Sequence, residues 1–215
     1  MINNIKCIHN LPTLVIYSTD NSFGFGYRKN NFGPDQIFIK KFDKDLSNTL
    51  IFDFKKFISK EDLLKVNKIS VSIGPANFNA SRLIVVLART ISQQINCPLE
   101  SFSSFKIMAK RIASKNNIFN NKQSFWIYKK LKRKGFIAGK YEIDHTKKNA
   151  DLVIRETVLP KLIRELNSTE IYFEADYMEE EDLKELLNLS NENLLNSDEN
   201  TWQKVSPLYP ISPIN

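Results

Sequence analysis

The chain has 215 residues, a net charge of +7 and 42% hydrophobic residues, enough for one large domain or two small ones sharing a core. It contains no run of about 18 apolar residues, which excludes a membrane-spanning helix, and its first residues lack the charged and apolar regions of a signal peptide. Cys7 and Cys97 have no metal-ligand spacing and read as free thiols in a reducing cytoplasm.

Residues 13–20, 22–29 and 36–42 are rich in β-branched and aromatic side chains and are separated by short turns at Asp20-Asn21 and 30–34. They predict three strands of an antiparallel meander. Residues 44–58 predict a helix, with Leu46, Leu50, Phe54 and Phe57 on one face, widened by Ile51 and Ile58. Ser59 caps a short turn over 60–66, with Glu61 and Asp62 at its positive end.

Residues 68–73 form a strand too apolar for an exposed edge, so it is central and parallel to its partner. Gly74-Pro75 breaks it sharply, and Asn79 or Ser81 caps the helix that follows, over 83–95. That helix is apolar nearly all round. Cys97-Pro98-Leu99-Glu100 ends it, and Ser103-Ser104 starts another helix running to about Ser114.

Residues 116–123 read as a polar loop. Residues 124–128 and 135–143 read as paired strands around a basic turn. Pro160 suits the first turn of a helix running to Asn167. Residues 170–176 predict a strand, 178–189 a helix with an acidic first turn, and 190–215 a mostly irregular tail. The order implies a first lobe over 1–102 and a second, smaller α/β lobe over 103–215.

Charge is uneven along the chain. Residues 106–148 hold 13 Lys and Arg against Glu142 and Asp144, and residues 170–200 hold 11 Asp and Glu against Lys184 alone. Such a dipole can steer polyanions or an oppositely charged partner. The 23 Asn and the many Lys also fit codon drift toward A and T, which would leave part of the basic excess without meaning.

A strand feeding a helix N-terminus can aim backbone N–H groups at a phosphate, and it is equally an ordinary joint of an α/β domain. The segment Ile73-Gly74-Pro75-Ala76-Asn77-Phe78-Asn79-Ala80-Ser81-Arg82 resembles the Gly-Pro-Gly-Ser-Phe-Thr-Gly-x-Arg signature of the TsaB (YeaZ) family. Gly74, Pro75, Phe78 and Arg82 match it. The segment Leu14 to Thr19 resembles the family's first strand, Cys97-Pro98-Leu99 with residues 101–109 its helix-ending pattern, and Val205-Ser206-Pro207-Leu208-Tyr209 its C-terminal motif. The likeness is good over 12–113, thin over 114–201 and local at the C-terminus.

The resemblance implies an α/β, two-lobed ribonuclease H-like (actin-like ATPase) fold, a mixed sheet flanked by helices. It implies a cytoplasmic, non-catalytic subunit in tRNA threonylcarbamoyladenosine modification at adenosine 37. That subunit would scaffold the ATP- and metal-binding TsaD subunit, with TsaE as a further partner, and would be a homodimer when alone. It would need no cofactor of its own.

Two departures bear on this reading. Tyr17 stands where the family's first strand has an Asp that, in the actin-like superfamily, helps hold a metal–phosphate group. Asp20 does not replace it, because three residues along a strand put a side chain on the opposite face. Ala76 and Ala80 replace two glycines of a loop whose phosphate cradle needs bare backbone. Gly74, Pro75, Phe78 and Arg82 therefore read as a degenerate phosphate loop.

No His-x-x-x-His, Gly-x-Ser-x-Gly, Walker or paired-Cys zinc motif occurs, and His9 and His145 read as surface residues. No residue is assigned to catalysis or to a metal. The candidate partner interface is Leu46, Leu50, Phe54, Phe57, Leu87 and Ile91, which could equally be core. Candidate RNA contacts are Lys129, Lys130, Lys132, Arg133 and Lys134, beside Trp126 and Tyr128. Two alternatives differ in class: an active ATPase or glycoprotease-like peptidase, and a stand-alone RNA-binding module.

Overall fold

The computed structural model describes residues 11–42, 46–115, 123–144, 152–192 and 201–211. Strands β1 (Thr13–Ser18), β2 (Ser22–Arg28) and β3 (Gln36–Lys41) form the antiparallel meander. The apolar strand β4 (Lys68–Ser72) is central, parallel to β1 on one side and to β5 (Leu99–Phe102) on the other. The first sheet thus has the order β3-β2-β1-β4-β5.

Helix α1 (Leu46–Phe57), the single turn α2 (Lys60–Leu63) and the long α3 (Phe78–Ile95) follow the meander and β4. Ser59 caps α2 by accepting from the Asp62 amide at 3.1 Å. The apolar faces of α1 and α3 converge on one side of the first sheet, where Leu46, Leu50, Phe54, Ile84 and Ala88 pack with Leu14, Phe25 and Ile69.

The other side of that sheet is covered by α5 (Glu179–Glu192), whose Leu183, Leu186 and Leu187 pack on Val15 and Tyr17. Gly24 permits this contact. A Cβ there would fall 2.7 Å from Leu183 Cδ1 and 2.8 Å from the Phe38 carbonyl oxygen, both inside van der Waals distance.

The second sheet is built from β6 (Ser124–Leu131), β7 (Gly135–Asp144), β8 (Val153–Ile163) and β9 (Tyr172–Glu174), in the order β8-β7-β6-β9. Helix α4 (Ser104–Lys115) packs on its inner face through Phe105, Met108 and Ala109, against Phe125, Ile127 and Tyr141. Because α4 also packs on α5, the layers run α1 and α3, first sheet, α5 and α4, second sheet. Apolar faces are buried at every join, as layered architectures require.

Four details differ from the sequence reading. Helix α3 begins at Phe78, and its cap is Asn77, which accepts from the Asn79 and Ala80 amides, so neither Asn79 nor Ser81 plays that part. The residues after Cys97-Pro98 form strand β5, with Leu99 and Phe102 buried, where the sequence suggests only a helix end. Pro160 lies inside β8, not at a helix start. β8 is an edge strand, and its register with β7 shifts between Ala138 and Lys140, the two circumstances in which a strand tolerates a residue with no N–H.

Beyond α5, the tail is less irregular than its composition suggests. A short 3-10 turn (Thr201–Lys204) carries Trp202 to the first core, Val205 is buried there, and the Leu208 amide donates to the Ile73 carbonyl at 2.8 Å. Cys7, His9, His145 and most of the polar loop over 116–123 lie outside the described residues.

Candidate functional site

Gly74 and Pro75, joined by a cis peptide bond, leave β4 at the joint of both halves of the molecule, and Gly74 has φ +97°. Its carbonyl accepts from the Ser104 amide at the start of α4, at 2.8 Å, and the Pro75 carbonyl accepts from the Tyr177 hydroxyl at 2.6 Å. The Asn77 amide donates to the Thr19 carbonyl at 3.3 Å. Tyr209 packs on Phe78 with ring centroids 4.8 Å apart, and the Arg82 guanidinium lies over that same ring at 5.4 Å. What remains is a cavity of about 280 Å³ lined by Pro75, Ala76, Phe78, Ser81, Ile137 and the tail residues 208–211.

These contacts consume the groups a phosphate would need. Free N–H groups and the positive dipole end make a helix N-terminus an anion site. Here the Asn77 side chain takes the Asn79 and Ala80 amides. Two hydroxyls beside the loop, Ser81 Oγ and Ser104 Oγ, are buried without a protein partner, but neither carries charge.

The face of β1 turned toward α5 is also closed. Tyr17 is buried, and its hydroxyl donates to Asp182 Oδ2 at 2.8 Å. Asp182 accepts further from Arg111 Nε at 2.7 Å and from the Met178 amide at 3.1 Å. Its residue surface is 0% exposed and the Arg111 side chain is 6% exposed. Burial pushes the Asp182 carboxyl above its ordinary range, against the pull of Arg111. Burial, then Asp182, pushes the Tyr17 phenol well above its own. Tyr177 is raised chiefly by burial, and Lys129 pairs with Asp20 across the same joint.

The residues present therefore do not fit a metal–nucleotide phosphate group. The first strand presents a phenol, Tyr17, on this face, and the Tyr17–Asp182–Arg111 cluster fills the space beside it. Among the described residues, no group of three or more His, Cys, Asp and Glu gathers to hold a metal. The Asp182 network escapes a sequence reading, which sees residues 179–182 as a solvated acidic helix start. Glu180 and Glu181 do pair at the surface with Lys184 and Lys115. Glu179 accepts from the Ser22 hydroxyl at 3.1 Å, and Asp182 is the one of the four that is fully buried; its position just before Leu183, Leu186 and Leu187 on the buried face is the signal that marks it.

The six apolar residues named as a partner interface are placed against the chain's own sheet. Leu46, Leu50, Phe54 and Ile91 are buried in the first core, and Phe57 and Leu87 pack partly buried on it. The helical stripe reads as core because α1 and α3 use it to cover the sheet. The same two helices turn other apolar side chains outward: Ile51 is 55% exposed, Phe52 57% and Val86 60%. Beside them, Phe42, Leu46, Asn79, Arg82, Leu83 and Val86 line a groove of about 580 Å³ between α1 and the start of α3.

Of the five basic residues, Lys129 lies in β6 on the inner face and is engaged with Asp20. Lys130 ends the outer row of β6, and Lys132, Arg133 and Lys134 form the exposed tip of the β6–β7 hairpin, with Arg133 at φ 63°. Trp126 and Tyr128 stand on the outer face, partly exposed.

Two mixed sheets, the first with a β3-β2-β1-β4-β5 order, joined through flanking helices, define a ribonuclease H-like, actin-like ATPase fold. Within that class the chain has the fold of YeaZ (TsaB). A Pseudomonas aeruginosa protein with similarity to peptidase YeaZ superposes with a TM-score of 0.64 at 13% identity, covering 94% of this chain and 100% of the other. YeaZ from Pseudomonas aeruginosa gives 0.60 at 12% identity, covering 93% and 99%. No family model matches the sequence, and no curated protein matches it. No helix among the described residues is long and apolar enough to cross a membrane.

Proposed function

We propose that this chain is a non-catalytic partner subunit in tRNA threonylcarbamoyladenosine modification, scaffolding a TsaD-like subunit that supplies the ATP and metal chemistry. The observation that carries the reading is a YeaZ fold whose ligand joint is sealed by Tyr17, Asp182 and Arg111, while apolar side chains of α1 and α3 stay exposed beside a groove. A scaffold that has lost its ligand-holding groups keeps one use for such a surface, which is docking another folded protein. A second copy of the chain would occupy the same face when no partner is present.

The test is co-purification of tagged chain with the TsaD of the same organism, wild type against Phe52→Asp and Val86→Asp. Both positions are exposed, so the fold should survive a charge there. A carboxylate forced into an apolar interface costs several kcal/mol, and capture should fall at least tenfold. Undiminished capture by both variants, or full tRNA modification without the chain, overturns the reading.

A further inference from the structure

We infer that the outer face of the second sheet, with the tip of its β6–β7 hairpin, is a binding surface for single-stranded RNA. Strand register aligns the outward side chains in rungs. Tyr172, Trp126, Lys140 and Val158 form one, Glu174, Tyr128, Ala138 and Lys161 the next, and Lys130, Phe136 and Ile163 the third. Helix α4 packs on the inner face of this sheet. Among the described residues no helix packs on the outer one. One corner of that face is held by Glu170, which accepts from the Trp126 indole N–H and, at 2.7 Å, from Lys140, but a sheet face that no helix covers, with four partly exposed aromatic rings on it, needs an explanation from outside the core.

The rings differ in how they are held. Trp126 stacks on Tyr172 with centroids 6.1 Å apart, and the Lys140 ammonium sits over its ring at 5.6 Å. Tyr128 is stacked on neither neighbour, meeting both Phe136 and Tyr172 at 77°. Tyr128 is thus the ring on which an unpaired base can stack, and the pair behind it forms the wall of that place. Base–aromatic stacking works with any base, because each has a π-face.

One end of the face is cationic. Lys130, Lys132, Arg133, Lys134, Lys161 and Arg164 are all exposed, and none forms an ion pair among the described residues. Gly135 brings the two clusters together. It has φ +91°, and a side chain there would collide with the Ile163 carbonyl and approach Arg164 Cα at 3.2 Å. The hairpin tip and the end of β8 therefore lie against each other. Unpaired cations beside partly exposed rings, with one ring face not stacked on a neighbour, match a strand that offers phosphates and bases together. Glu174 shares the Tyr128 rung. A carboxylate there repels phosphate but accepts from a ribose 2′-hydroxyl, which favours RNA over DNA.

This surface is distinct from the α1–α3 docking face, and its assignment needs neither a TsaD subunit nor tRNA modification. The measurement is fluorescence polarisation of a labelled oligouridylate of about a dozen nucleotides, a length within the span such surfaces cover, titrated with the full chain across a salt series. Arg133→Glu with Lys134→Glu should weaken binding at least tenfold and flatten the salt dependence. Tyr128→Ala should weaken it by about tenfold with the salt slope kept, and Tyr128→Phe should restore it. Equal binding by wild type and the Arg133/Lys134 variant overturns the proposal. So does loss in Tyr128→Ala that Tyr128→Phe fails to restore, or an oligodeoxythymidylate that binds as tightly. A negative result leaves the co-purification outcome untouched, so the two readings fail separately.

Discussion

Tyr17 shows how one side chain changes what a strand end can do. A carboxylate at that position would face Asp182 across a space of hydrogen-bond width, and two such charges repel in a low-dielectric interior. A phenol donates instead, and the resulting chain Tyr17–Asp182–Arg111 satisfies each buried member. Removing one partner of a buried ion pair leaves the other uncompensated, so Asp182→Ala should cost about 3–5 kcal/mol. Tyr17→Phe, which deletes only a donor, should cost about 1–3 kcal/mol. Urea unfolding of the two variants tests the order, and a larger loss for Tyr17→Phe contradicts this account. Cys97 illustrates burial without function. It is 8% exposed, its amide donates to the Ser92 carbonyl, and burial pushes its thiol up to about 12. The thiolate is the reactive form, so Cys97 in the folded chain should resist iodoacetamide at about pH 8, far below the raised value. Peptide mass mapping with and without urea reads this directly.

At the scale of elements, the periodic segments are legible and the conditional ones are not. The meander, the central β4 and the stripe of α1 follow from spacing alone, because a half-buried strand or helix imprints its period on the sequence. Strand β5 is four residues long and directly follows Cys97-Pro98. Its pairing with β4, Ile69 to Leu99 onward, is a long-range fact that no local pattern carries. Pro160 misleads for a related reason. Read alone it suits a helix start, but at an edge strand with a register shift its missing N–H costs nothing. The core stripe on α1 and α3 is legible, whereas the division between sheet-facing and outward residues is not. Leu50 and Ile51 are neighbours of like polarity, and only the sheet's position decides that one is buried and the other exposed. The sealed joint is legible only in its negative half: Tyr17, Ala76 and Ala80 stand in the sequence, but the partners that fill the gap come from residues 111 and 182.

At the scale of the whole molecule, the two sheets share their covering. Helix α5 belongs late in the chain yet covers the first sheet, and α4 packs on α5 while serving the second. A fragment of residues 1–102 would therefore expose Val15, Tyr17 and Phe102, which α5 and α4 bury in the intact chain. Such a loss of apolar cover exceeds what a small sheet can bear. The expected outcome is that this fragment fails to fold alone, and that the intact chain melts in one transition by circular dichroism and by tyrosine and tryptophan fluorescence. Two resolved transitions, or a stable fragment, would mean that the halves are independent.

The placement of α5 over β1 and β2 has a consequence for biosynthesis. A ribosome delivers the first sheet long before it delivers residues 179–192, so one apolar side of a complete sheet stands bare while all four strands of the second sheet are being made. A nascent chain in that state attracts chaperones and neighbouring polypeptides. Gly24 and Gly26, small and flat beneath the absent helix, leave that waiting surface smooth until Leu183 and Leu187 arrive to cover it.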